Sequence, residues 1–141
     1  MNSRTLFSLP DKIRHALNQI AEAKAFAEGS RLFEAGEDGI GIYLIRSGLV
    51  GLALPNEVEL LHIGGAGSVL GLPSTVGSRP YSLTAVALEP VQAGFIPSSI
   101  FLKLMQQDVE ICLAVTEAIA GELYETRHEA GNLLDRTSLS R

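Results

Sequence analysis

Chemistry in this chain of 141 residues has few side chains to rest on: three histidines, one cysteine, and scattered acids, arginines and hydroxyls. The histidines are His15, His62 and His128, set far apart in three different segments. A cupin-type metal centre needs two histidines one residue apart, with a carboxylate and a third histidine on facing strands, and no pair here has that spacing. Cys112 stands alone, which excludes an intrachain disulfide and a cysteine-ligated zinc or iron–sulfur site. In its apolar helical surroundings it reads as a small buried hydrophobe rather than a nucleophile. No Ser-His-Asp set, paired carboxylates or phosphate-binding Gly-rich loop occurs in usable context. These residues argue against an enzyme and against a metal protein.

The elements that must position any other kind of site begin with composition. Hydrophobic residues make up 46% of the chain and charged residues 19%, the balance of a folded protein of one domain. A net charge of −5 argues against a nucleic-acid binder, because phosphate contacts call for a basic face. No apolar run reaches the ~18 residues of a membrane span, and the first residues, MNSRTLFSLPDK, lack the apolar core of a signal peptide. A cytoplasmic protein is expected.

Along the chain, Ile13, Leu17 and Ile20 recur at helical spacing after Pro10, which predicts a helix within 10–23. From 24 to 96 glycine breaks the chain into short β-like pieces, at 25–27, 31–34, 42–46, 49–54, 58–63, 69–72, 83–88 and 91–96. Eight short strands with turn signals between them suit a jelly roll. In 32–48, LFEAGEDGIGIYLIRSG, Ile42, Leu44 and Arg46 alternate with Tyr43, Ile45 and Ser47. Gly36 and Gly48 stand where tight turns would need positive φ, and Asp38-Gly39 is a hairpin signal. After Pro97, Ser98 or Ser99 can cap a short helix over 100–106, and Asp108 a long one over 109–134. Such a helix is roughly 39 Å long, more than one face of a roll can cover.

The glycine-punctuated 32–48 run and the order of elements resemble the cyclic-nucleotide-binding domain of the Crp/Fnr superfamily of bacterial transcription regulators. The resemblance covers nearly the whole chain. It implies an eight-stranded double-stranded β-helix, or jelly roll, mainly β with flanking helices. In that frame residues 1–108 form the roll with its N-terminal helix, and 109–134 a long dimerisation helix. The C-terminal run LLDRTSLSR resembles the hinge that opens a DNA-binding domain, with the hinge itself expected over 135–141. That domain is absent from this chain, and excision from a longer regulator is the expectation.

The resemblance also implies a site. In the family a short helix opened by Gly-Glu holds the nucleotide phosphate together with an arginine from the next strand, and the glutamate takes the ribose hydroxyl. Gly71 matches the glycine, but Leu72 stands for the glutamate. Tyr81-Ser82-Leu83-Thr84 aligns with the strand entry, so Tyr81 stands for the arginine. Pro73 removes one backbone donor from the cradle. Ser82 and Thr84 keep hydroxyls, Arg79 is a candidate replacement cation, and Thr126 matches a base-contacting threonine of the catabolite activators. Binding of cyclic AMP in the usual manner is therefore not expected; another nucleotide or small-molecule effector is.

On the long helix, Cys112, Thr116, Ile119, Leu123, Thr126, Ala130 and Leu133 follow alternating steps of four and three, a coiled-coil seam. Ile111, Val115 and Ala118 form a second stripe available to the roll. A homodimer is expected, working allosterically as the sensor domain of a regulator that reaches DNA only through the absent domain. The alternative is a stand-alone module of the same fold acting through protein–protein contacts.

Overall fold

The computed structural model describes residues 2–56 and 59–139, with side chains described as far as Tyr124. Helix α1 (Asp11–Ile20) leads into eight strands: β1 (Glu22–Phe26), β2 (Arg31–Phe33), β3 (Gly41–Ser47), β4 (Val50–Ala53), β5 (Leu60–Gly64), β6 (Val69–Leu70), β7 (Thr84–Ala87) and β8 (Val91–Pro97). A short helix α2 (Leu72–Gly77) is set between β6 and β7, and α3 (Ser98–Gln107) and α4 (Val109–Leu139) close the chain. The strands form two antiparallel four-stranded sheets, ordered β1-β8-β3-β6 and β2-β7-β4-β5. This is the expected jelly roll, mainly β with flanking helices. Val58, expected to open the fifth strand, lies outside the described residues.

The alternation in β3 does what its two apolar sets predict. Tyr43 and Ile45 join the core inside the roll, with Leu32, Phe33, Val50, Leu52, Leu70 and Ala85. Ile42 and Leu44 face the other way, into a second core shared with α1, α3 and α4. Strand β3 is thus buried on both faces, which is why it carries no charged residue until Arg46. Ile13 and Leu17 of α1 are buried in that second core. Ile20, expected on the same stripe, is exposed, because α1 ends there and the chain turns into β1.

Strands β2 and β3 do not pair with each other. They belong to different sheets, so Asp38-Gly39 closes no hairpin and the segment between them carries the chain across the roll. The turn falls earlier, at Ala35-Gly36, where φ of Gly36 is 91°. Gly48 makes the next crossing, from β3 to β4, with φ 92°; a Cβ there would lie 2.4 Å from the carbonyl oxygen of Pro90. Only glycine fits that corner.

Asp108 caps α4 as expected: its Oδ1 accepts the backbone N–H groups of Glu110 (2.9 Å) and Ile111 (3.2 Å). Ser98 does not cap α3; Pro97 precedes that helix, and the Ser98 hydroxyl instead donates to the Gly39 carbonyl at 3.0 Å. The helix runs through Gly121 and on to Leu139, across part of the stretch 135–141 that the resemblance assigns to a hinge; residues 140 and 141 lie outside the described residues. Ile111, Val115 and Ala118, with Ala114, pack on the roll.

The N-terminal segment adds a contact that periodicity does not reveal. Arg4 forms an isolated bridge with Gly64 and an ion pair with Glu122 of α4. The backbone N–H of Phe7 donates to the other oxygen of the same carboxylate at 3.2 Å. Phe7 itself has φ 52°, a left-handed conformation that aromatic residues rarely adopt, and packs against both cores.

A candidate ligand site inside the roll

Helix α2 begins where β6 ends, and Gly71 makes the junction. Its φ of 92° is left-handed, and a Cβ would lie 2.7 Å from the Gly41 carbonyl oxygen and 3.2 Å from Cε1 of Tyr81. The chain can turn into α2 this close to β3 only without a side chain. Leu72 follows as the first helical residue. Its side chain is fully buried in the core between roll and helices rather than in the roll's interior. A leucine here anchors α2 to the helix layer.

Between α2 and β7, residues 78–83 run without regular structure and deliver Tyr81 into the roll. The ring is buried, 3% exposed, and stacks on Phe33 with centroids 4.0 Å apart and planes 17° apart. Phe33 continues to Tyr43 at 6.0 Å, and Tyr43 to Phe95 at 4.9 Å and Phe26 at 5.8 Å, so aromatic rings fill the interior in a row. The Tyr81 hydroxyl donates to the Gly41 carbonyl at 2.9 Å and accepts the N–H groups of Ile40 (3.2 Å) and Gly41 (3.3 Å). Burial raises the pKa of this phenol above its ordinary value, the two backbone bonds pull it partly back, and the nearby Glu37 charge adds to the rise. Tyr43 is pushed up to about 12, by burial first and then by the proximity of Tyr81 and Glu37.

What remains of the interior is a cavity of about 60 Å³ between Phe7, Phe33, Leu52, Leu70 and the ring of Tyr81, opening past Pro73, Ser74, Ser82 and Leu83. Small-molecule sites span about 300–1,000 Å³, so this space is too small for a nucleotide. Among the described residues no Lys, Arg or His lines it. Of the expected residues, the fold brings Gly71, Tyr81, Ser82 and Leu83 to this cavity. Leu72 lies behind it. Arg79 is exposed on the outer side of α2, lining a separate cleft of about 250 Å³ with Asp38, Ser78 and Ser98. Thr84 points its hydroxyl to the Ala35 N–H at 3.0 Å, outside the cavity. The side chain of Thr126 lies outside the described residues. Phe7, Phe33 and Leu52 were not anticipated as lining residues, since they converge from three separate segments and share no local spacing.

Two four-stranded sheets closed around an inner cavity, a short helix at its edge and a long terminal helix define a jelly-roll domain with flanking helices. A model of the cyclic nucleotide-binding domain matches residues 23–108, more than half of the chain, and the chain belongs to that family. Its structural neighbours include regulators of the Crp/Fnr family. A candidate cyclic nucleotide binding protein from Ruegeria pomeroyi is 25% identical with a TM-score of 0.65, over 88% of this chain and 56% of that one. The catabolite activator protein of Thermus thermophilus is 23% identical with a TM-score of 0.71, over 92% and 61%. The c-di-GMP responsive global regulator CLP of Xanthomonas campestris is 15% identical with a TM-score of 0.73, over 89% and 65%. The last two likenesses are of fold. The chain spans less than two thirds of each of these three proteins. No curated protein matches it by sequence.

Proposed function

We propose that this chain is the effector-sensing and dimerising domain of a bacterial Crp/Fnr-type transcription regulator, and that it does not take cyclic AMP in its family's usual manner. One observation carries the second part. A buried, stacked and hydrogen-bonded tyrosine, Tyr81, stands where the resemblance implies the phosphate-binding arginine. A phosphate brought into this interior would meet no cation, and burying an unpaired charge costs several kcal/mol. The fold does not name the effector, since the Xanthomonas regulator of the same fold responds to c-di-GMP.

Signalling from the cavity to the long helix is supported by Phe7. Its ring lines the cavity, and its N–H is held by Glu122 of α4. An occupant that moved Phe7 out of its left-handed conformation would move its hold on α4. Dimerisation is supported by the outward face of α4, where Leu113 and Leu123 are 58% and 52% exposed and Val109 is 73% exposed. Thr116 is also exposed, whereas Cys112 and Ile119 are half-buried, with Ile119 packed against the roll. The seam so defined is shifted toward Val109, Leu113, Thr116 and Leu123. Contact with DNA belongs to a further domain in this proposal. The test is a thermal-shift titration with cyclic AMP and cyclic GMP: no displacement at micromolar nucleotide is expected, and a clear rise in Tm would overturn the reading of the site.

A further inference from the structure

We propose that Tyr81 is a built-in occupant of the roll, an autoinhibitory plug, and that the site behind it is shaped for a planar aromatic group carrying no phosphate. This rests on the reading of the roll as a sensor and names how its site is regulated. The phenol behaves as a bound ligand would. It arrives on an irregular segment rather than on a strand, after Ser78 in a left-handed conformation (φ 52°) and Pro80. Its ring stacks face to face on Phe33, and its hydroxyl meets three backbone groups of Ile40 and Gly41, the segment that feeds β3. The ring edge also lies against Gly71, at the start of α2. One side chain thereby ties together β2, the approach to β3, and α2.

Removing the phenol would enlarge the 60 Å³ space toward the ~150 Å³ that holds a benzene-sized molecule in an apolar core. The walls then consist of Phe7, Phe33, Leu52 and Leu70, with two serine hydroxyls at the mouth and the free backbone groups of Ile40 and Gly41 at the far end. That set accepts a flat ring with one hydroxyl-type group and offers nothing to a phosphate. In the wild type the tethered phenol outcompetes any such ring at ordinary concentrations, because its effective concentration is set by the short link to α2 and β7.

The probe is p-cresol, the free analogue of the tyrosine side chain, added to the whole chain. At millimolar p-cresol the wild type shows no change in Tm, whereas Tyr81→Ala gains at least about 3 °C and recovers slow amide exchange at Ile40 and Gly41. Tyr81→Phe, which keeps the stacked ring, exchanges those two amides about fivefold faster than the wild type and stays blind to p-cresol. A folded Tyr81→Ala protein indifferent to p-cresol overturns the plug, as does wild-type protein stabilised by p-cresol to the same extent. Should Tyr81→Ala fail to fold, unchanged exchange at Ile40 and Gly41 in Tyr81→Phe overturns it instead. Stabilisation of the wild type by cyclic AMP would sink the underlying reading of the site; a silent Tyr81→Ala beside a nucleotide-blind wild type sinks the plug alone.

Discussion

Tyr43 and Tyr81 put two phenols into the dry interior of the roll, and the cost of ionising them makes the fold sensitive to alkali. The folded-state pKa of Tyr43 is raised to about 12, against 10.0 for an ordinary tyrosine. Below pH 10 both states carry the proton and this phenol adds no pH dependence. Between pH 10 and 12 the unfolded chain releases the proton and the folded one keeps it, so stability falls as pH rises. The loss from Tyr43 is about 2–3 kcal/mol by pH 12. Chemical denaturation across that range should show it, and Tyr43→Phe should flatten the curve. Gly71 permits a second expectation at this scale. Alanine there would hold a left-handed φ and push Cβ into the Gly41 carbonyl, so Gly71→Ala should destabilise by about 3 kcal/mol in the same assay. That glycine was legible in the chain, as were the departures at Leu72 and Tyr81. Where those two side chains point was not. Leu72 opens a six-residue helix, too short for its periodicity to say which side faces the roll, and Tyr81 lies on an irregular segment that has no periodicity at all.

Among the elements, α4 presents two different faces. The face of Ile111, Ala114, Val115 and Ala118 is part of the core, and the face of Val109, Leu113 and Leu123 is open. Replacing Leu113 and Leu123 together by lysine should leave monomer stability within about 0.5 kcal/mol and shift a dimer to monomer in sedimentation analysis. Loss of the fold instead would show that this face is core. At the start of the helix, Asp108→Ala should cost about 1 kcal/mol in denaturation, by freeing the N–H groups of Glu110 and Ile111. The Asp108 cap could be read from its place before an apolar-periodic stretch, and so could the roll-facing stripe. The half-buried position of Ile119 could not, since an amphipathic pattern fixes a helix's faces only to within a residue or so of rotation. The hold of Glu122 on Arg4 and Phe7 was equally invisible, because the partners are more than a hundred residues apart in sequence.

For the whole molecule the decisive measure is ligand-linked stability. A nucleotide present at 100 times its Kd would add about 2.7 kcal/mol. Cyclic AMP at micromolar concentration is expected to add nothing measurable, because the cavity is small, uncharged and already occupied by Tyr81. The chain alone determined the class of this protein: eight glycine-punctuated strands, a capped long helix after them, and the family frame that organises both. Those are local matters of turn geometry, alternation and capping, which short stretches of sequence encode. Only the tertiary structure decided that β2 and β3 part to different sheets, that Phe7 joins the cavity to α4, and that Tyr81 fills the interior of the roll. Each of these depends on packing between segments distant in sequence, where available volume and unpaired backbone groups, rather than residue spacing, select the partner.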